Sequence, residues 1–91
     1  MQISNGKTDI LAKITGEIVQ KLREKLTNKT VNKLGSEYDY GSRTLSHIEK
    51  GEVNCKFVTL WMIAESLGVK TSELVKMIEE SLPEDFRLTE E

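Results

Sequence analysis

Apolar residues recur every three or four positions through most of the chain, and nowhere do they alternate with polar residues over the length of a strand. The longest stripe of this kind consists of Ile10, Ile14, Ile18, Leu22 and Leu26. Such spacing places side chains on one face of an α-helix. The sequence therefore predicts an all-α fold, and 91 residues give room for one domain with one small core.

Capping and turn-forming residues divide the pattern into five predicted helices. The first starts at Ile10, and Thr30 is a favourable N-cap for a short second helix. After a tight turn around Gly41, a short third helix ends at Gly51. The fourth and fifth helices are expected to start at the caps Asn54 and Thr71 and to end at Gly68 and Pro83.

The helical faces also predict the core and the domain boundaries. The apolar face of the fourth helix consists of Phe57, Leu60, Trp61, Ala64 and Leu67. We expect Trp61 and Tyr38 to be buried. Residues 1–9 are predicted to be a flexible N-terminus, residues 10–82 the helical domain, and residues 83–91 an acidic C-terminal tail.

Charge is divided unevenly along the chain. The first 56 residues carry ten lysines and arginines against seven acidic residues, whereas the last 35 carry three against eight. Salt confines the field of an exposed charge to about 10 Å, so a basic half can attract an anion although the net charge is −2. An acidic tail that is simply solvated fits the same pattern, and charge alone does not separate the two interpretations.

The most informative segment has the sequence RTLSHIEKG, residues 43–51. It resembles the recognition helix of the xenobiotic-response-element class of regulators, the family of the phage lambda repressor and Cro. Leu34-Gly35 falls where the family has Leu-Ala, and Ile18, Leu22 and Arg23 fit its first helix. Its fourth-helix pattern is matched by Leu60, Ile63, Ala64, Leu67, Gly68, Val69 and Leu74. The resemblance spans 57 residues, 18–74, and implies a five-helix lambda-repressor-like domain with a DNA-binding helix-turn-helix.

Four positions depart from the family pattern. Val31 replaces a Gln that touches a phosphate, and Asp39 falls where the turn usually has Gly. Cys55 replaces the Pro that opens the fourth helix, and Lys70 falls on the usual cap of the fifth helix. These departures predict a reshaped turn and the loss of one backbone contact, the one that Gln makes in the family.

The resemblance also implies roles for individual residues. Contacts to bases are expected from Ser42, Arg43, Thr44 and His47. Contacts to phosphates are expected from Lys29, Thr30, Lys33, Tyr40, Ser46 and Lys50, although Tyr40 also suits a position covering the core. Arg43 is the strongest candidate for reading sequence, because its planar fork matches guanine O6 and N7. Glu49 is expected to face inward and to pair with Arg23 as a structural brace.

The function expected from this pattern is sequence-specific binding of duplex DNA by a transcriptional regulator, most simply a repressor. A domain of this size is expected to act as a homodimer on a pseudo-palindromic operator. Its dimer surface is predicted on the fifth helix and the tail, where Leu82, Phe86 and Leu88 are apolar. The alternatives are a protein-interaction module and an antitoxin-type autorepressor that also binds a toxin.

Other classes of protein fit the sequence poorly. One cysteine and one histidine exclude an intrachain disulfide and a zinc cluster, and the chain has neither a Gly-rich phosphate loop nor a nucleophile constellation. We therefore expect no enzymatic activity, no metal and no cofactor. Since no signal-peptide pattern or membrane-spanning run is present, we expect a cytoplasmic protein of bacterial, phage or mobile-element origin.

Overall fold

The computed structural model describes the backbone of residues 2, 3 and 5–90 and the side chains of residues 6–89. Within these residues the helices are α1 (Asn5–Leu26), α2 (Val31–Glu37), α3 (Ser42–Glu49), α4 (Phe57–Leu67) and α5 (Thr71–Ser81). Two-residue strands β1 (Gln2–Ile3) and β2 (Thr89–Glu90) pair in an antiparallel sense and bring the two ends of the chain together. The predicted all-α fold with five helices is confirmed.

The hydrophobic core draws side chains from every helix. α1 packs against α3, α4 and α5, while α2 packs against α3. The largest fully buried side chains are Val19, Leu34, Leu45, Ile48, Ile63 and Leu74. Each such side chain contributes about 1.5–3 kcal/mol relative to an exposed one. The shared core fixes the position of α3 relative to the other helices.

A glycine in the middle of α1 lets α3 approach closely. A Cβ at Gly16 would collide with the backbone carbonyl oxygens of Ile48 and Glu49. Glycine costs about 1 kcal/mol in a helix interior relative to alanine, yet α1 continues through this position without a break. The C-terminal end of α3 therefore rests directly on the α1 backbone.

Some helix ends differ from those predicted. α1 begins at Asn5, so residues 5–9 are helical although the sequence suggested a flexible terminus. The N-caps of α4 and α5 are Lys56 and Lys70, in place of Asn54 and Thr71. The backbone N–H of Lys70 donates to Oε1 of Glu73 at 3.3 Å, which partly satisfies the start of α5. Cap preference is worth only about 1 kcal/mol, so packing of the helices decides these ends.

The buried face of α4 is rotated from the predicted one. Ile63, Ala64 and Leu67 are buried, whereas Trp61 is 50% exposed and Phe57 66% exposed. α4 is apolar around most of its circumference, so the helical period does not reveal which side faces inward. Tyr38 is also exposed, at 38%. The prediction of a buried position is therefore wrong for Trp61, Phe57 and Tyr38.

Candidate nucleic-acid interface

α2 and α3, joined by the turn at residues 38–41, form a unit that we call the α2–α3 unit. Oγ1 of Thr30 accepts a hydrogen bond from the backbone N–H of Lys33 at 3.2 Å, which confirms the predicted cap of α2. A Cβ at Gly35 would lie 2.5 Å from the backbone nitrogen of Ser42 and 2.6 Å from the carbonyl carbon of Gly41. The small residue at position 35 thus allows α2 to cross the start of α3 at backbone contact.

The turn between these helices contains two residues with positive φ. Asp39 has a φ of 63° and Gly41 a φ of 89°. Asp and Asn tolerate this left-handed region better than most residues, so Asp39 can occupy the position where the family that the sequence resembles usually has glycine. The amide of Gly41 donates to the carbonyl of Gly35 at 3.1 Å and closes the turn. The turn thus keeps α2 and α3 in contact with Asp39, rather than glycine, at its left-handed position.

α3 has two sharply different faces. Leu45 and Ile48 are 0% and 1% exposed and point into the core. The opposite face exposes Arg43, Thr44, His47 and Lys50, while Ser42 and Ser46 at its margins are partly buried. All four predicted base-contacting residues therefore lie on one short helix. Three of them, Arg43, Thr44 and His47, are exposed.

An ion pair fixes the C-terminal half of α3. The guanidinium of Arg23 donates from Nε to Oε2 of Glu49 at 2.7 Å and from Nη2 to Oε1 at 3.0 Å. Nη1 donates to the backbone carbonyl of Lys29 at 3.1 Å. The hydrogen bonds that Arg23 donates to Glu49 raise the pKa of Arg23 above its ordinary value, and only 13% and 7% of the two side chains are exposed. The pair that the family resemblance implies is present, and it ties α1, the α1–α2 loop and α3 together.

His47 is oriented by an acidic neighbour. Its Nδ1 lies 2.6 Å from Oε1 of Glu52 in the loop after α3, and about half of each side chain is exposed. A carboxylate beside Nδ1 favours the tautomer that carries the proton there. In the neutral ring Nε2 is then a hydrogen-bond acceptor, and in the protonated ring it is a donor. His47 is thus held in a defined orientation for a contact through Nε2.

The predicted phosphate contacts fall into two groups. Lys33 and Lys50 are exposed, and within the described side chains neither takes part in an ion pair. Lys29 instead pairs with Oε2 of Glu37 at 2.5 Å. The hydroxyl oxygen of Thr30 accepts the capping hydrogen bond of α2, which leaves its proton as a neutral donor. The first two lysines are therefore the stronger candidates for an anion.

Tyr40 is not available to a phosphate. Its side chain is 9% exposed, and its hydroxyl lies 3.0 Å from Oγ of Ser66 on α4. Ser66 donates its only hydroxyl proton to the carbonyl of Ile63 at 2.7 Å, so Tyr40 donates to Ser66. Burial raises the pKa of the Tyr40 hydroxyl above its ordinary value. The predicted phosphate contact is wrong, because the aromatic ring completes the core behind the turn.

The structure also presents an apolar surface that the sequence did not suggest. We call it the α4 face, consisting of Phe57, Val58 and Trp61; Val58 is 70% exposed. The rings of Phe57 and Trp61 meet edge to face with centroids 5.9 Å apart. Beside these rings, α4 and α5 enclose a groove of about 770 Å³. One feature of the sequence could have indicated this surface: α4 is apolar on nearly all sides. Because only one side of a surface helix can enter the core, apolar residues on the other sides must be exposed.

The tail is partly engaged with the rest of the chain. Leu82, which precedes the tail, packs against the core, and Leu88 in the tail lines a cavity of about 420 Å³ together with Leu11 and Cys55. Burial raises the pKa of the Cys55 thiol to about 11. These contacts reduce the apolar surface that the tail offers to a partner, and its predicted role as a dimer contact stays a prediction.

Comparisons with protein-family models, curated proteins and solved structures returned no match. Within the described part of the chain, no group of three or more His, Cys, Asp or Glu side chains is arranged to hold a metal ion. A search of the same residues found no helix with the length and hydropathy required to cross a membrane.

Proposed function

We propose that this chain is a lambda-repressor-like helix-turn-helix regulator that binds duplex DNA in a sequence-specific manner. In this proposal the α2–α3 unit is the helix-turn-helix and α3 lies in the major groove, the docking geometry typical of this motif. Arg43, Thr44, His47 and Ser42 read base edges. Lys33 and Lys50 contact phosphates, and Ser46 adds a further contact at the margin of the helix.

The observation that carries this proposal is the division of α3 into two faces. Its apolar side is anchored by Leu45 and Ile48 and held by the Arg23–Glu49 pair, while its polar side is exposed. Within the described residues, the Arg43 guanidinium has no acidic partner. The Arg43 guanidinium is a planar group with several N–H donors, and the core contacts and the ion pair hold its helix in place. Such a group suits bidentate hydrogen bonding to guanine.

Phosphate binding and base reading have separate sources in this arrangement. Lysine contacts to phosphates contribute to every duplex alike and depend steeply on salt, whereas the exposed residues at the start of α3 distinguish sequences. An α3 helix of eight residues reaches few base pairs. The proposed regulator therefore binds a pseudo-palindromic operator as a homodimer, with one copy of α3 on each half-site.

The α4 face favours a second candidate function, binding of another protein. Trp61 and Phe57 are exposed side by side next to an apolar groove, and such patches mark interaction sites. A protein-interaction module would use this face alone. An antitoxin-type autorepressor would use it for a toxin and α3 for its own operator.

Selection of bound sequences from random duplex DNA tests the proposal. Several rounds with the full chain should enrich two related half-sites in inverted orientation, separated by about one helical turn. The same selection with Arg43→Ala should lose base preference at one position of each half-site. A library that shows no enrichment with the full chain would contradict the proposal and favour the protein-interaction module.

A further inference from the structure

The α4 face and its groove share features with protein–protein contacts. Phe57, Val58 and Trp61 are each at least half exposed. On the same helix, Ile63 and Leu67 are buried in the core. Exposed aromatic side chains next to a pocket are typical anchors at the centre of an interface. The face lies on α4, which packs against α1 and α5, and none of its three residues belongs to α3.

The groove combines a ridge and a cavity on one surface. The ridge consists of the edge-to-face rings of Phe57 and Trp61, and the cavity of about 770 Å³ is also lined by Val69 and Val75. A twofold axis brings a surface of this kind against its own copy, with the ridge of each chain in the cavity of the other. A single surface then supplies both complementary parts.

The charges at the edge of the groove have the same self-complementary character. Glu65 and Glu79 line the groove together with Lys70, and within the described side chains none of the three forms a salt bridge. A uniformly acidic partner would face the two glutamates, and a uniformly basic one would face the lysine. A second copy offers each charge its opposite across the twofold axis.

We propose that the α4 face and the α4–α5 groove form the contact between two copies of this chain, with Trp61 and Phe57 of each copy seated in the groove of the other. Lys70 of each copy then pairs with Glu65 and Glu79 of its twin. This inference deepens the proposed function, because two half-sites require two copies of α3. It also moves the dimer contact away from the tail, since Leu82 packs against its own core and Leu88 lines a cavity of its own chain.

Trp61 is the only tryptophan of the sequence, so its fluorescence reports on this contact directly. Sedimentation in the absence of DNA should show monomers converting to dimers as the protein concentration rises. The tryptophan emission should move to shorter wavelength over the same concentration range. A chain that stays monomeric, or a dimer in which this emission does not shift, would overturn the proposal.

A matched pair of substitutions separates this surface from general apolar exposure. Trp61→Ser should raise the dissociation constant at least tenfold, a loss expected for an interface anchor. Leu26→Ser is the control, since Leu26 at the end of α1 is 48% exposed against 50% for Trp61. Equal effects of the two substitutions would contradict the assignment.

Charge exchange tests whether the occupant is a second copy. Lys70→Glu alone and Glu65→Lys/Glu79→Lys alone should each be monomeric at concentrations where the wild type is a dimer, because like charges meet across the axis. Their equimolar mixture should form dimers that contain one chain of each kind. Variants that remain monomeric when mixed while the wild type dimerises would refute the contact.

The tests also distinguish failure of this inference from failure of the proposed function. A monomer that binds a duplex carrying one half-site through α3 would refute the α4 contact alone. A dimer assembled through Trp61 that binds no selected duplex would refute the DNA-binding function and leave the contact intact. A monomer that instead binds an amphipathic helical peptide in the groove would assign the surface to a different partner and overturn the proposal.

Discussion

Arg23 and Glu49 form a two-point ion pair, 2.7 Å and 3.0 Å long, between the C-terminal ends of α1 and α3. The third nitrogen group of Arg23 holds the backbone carbonyl of Lys29, immediately before α2 begins. One side chain of α1 therefore holds both the end of α3 and the loop that leads into α2. Glu49 is turned inward and its negative charge is paired with Arg23. This acidic residue of α3 therefore does not oppose an anionic partner.

Breaking this pair should destabilise the fold strongly. Removing one partner of a largely buried ion pair leaves the other charge uncompensated, so Arg23→Gln or Glu49→Gln should lower the free energy of unfolding by about 3–5 kcal/mol. The exposed pair Lys29–Glu37 is the control, and Lys29→Gln should change the same quantity by about 0–1 kcal/mol. Urea unfolding measures both. Equal losses at the two sites would show that burial of the Arg23 pair carries no special weight.

Helical spacing and the family resemblance predicted much of this arrangement. They succeeded where the sequence left one possible environment or one partner for a side chain. Leu45 and Ile48 could only face inward on an otherwise polar helix, and the pair of Arg23 with Glu49 was implied by the family resemblance. Trp61 was misplaced because α4 is apolar on several sides, and its orientation depends on where α1 and α5 lie. Tyr40 was ambiguous for a similar reason: its hydroxyl partner, Ser66, is 26 positions away. Contacts between distant segments leave no local pattern in the sequence.

Removal of the Tyr40 hydroxyl should affect stability and leave DNA binding unchanged. Tyr40→Phe deletes a buried donor to Ser66, and the net cost of such a hydrogen bond is about 0.5–1.5 kcal/mol. Tyr38→Phe, on a ring that is 38% exposed, should cost nearly nothing. Thermal unfolding and duplex titration of both variants check this. A loss of affinity for every duplex with Tyr40→Phe, at unchanged stability, would restore the phosphate contact.

Substitutions on α4 should separate its two faces. Trp61→Ala should lower the free energy of unfolding of the monomer less than a substitution in the core does, since half of the Trp61 side chain is already exposed to solvent. Ile63→Ala, at a fully buried position two residues along, should cost about 2–5 kcal/mol. Chemical unfolding at concentrations below those of self-association measures the two values. A larger loss at Trp61 than at Ile63 would mean that α4 is rotated from the position described.

The thiol of Cys55 should react slowly in the folded chain. Burial raises its pKa from 9.0 to about 11, and the thiolate is the reactive form. Because the pKa of the folded state lies above that of the unfolded state, ionisation favours unfolding. The stability contributed by the protonated thiol is complete below pH 9 and is lost as the pH rises toward 11. Alkylation should accelerate on adding urea, and Cys55→Ala should lack this part of the pH dependence. Equal alkylation rates with and without urea would contradict the burial.

Arg43 should determine specificity, and the lysines should determine general affinity. A bidentate contact to guanine contributes about 1–3 kcal/mol of discrimination, so Arg43→Ala should weaken binding to the selected site about 5- to 150-fold. Its binding to random duplex should change much less. Lys50→Ala and Lys33→Ala should weaken binding to both duplexes by similar factors, and each should reduce the salt slope by about one.

Arg87→Ala is the matched control for Arg43→Ala, because it removes the same charge from an exposed position in the tail, outside the α2–α3 unit. It should alter neither the preference for the selected site nor the salt slope by a comparable amount. Fluorescence anisotropy at several salt concentrations measures both quantities, and thermal unfolding should show all four variants to be as stable as the wild type, since the side chains are exposed. If Arg43→Ala and Arg87→Ala bind the selected site equally well, α3 does not read bases through Arg43. If Lys33→Ala and Lys50→Ala are also without effect, the α2–α3 unit is not a DNA-binding surface.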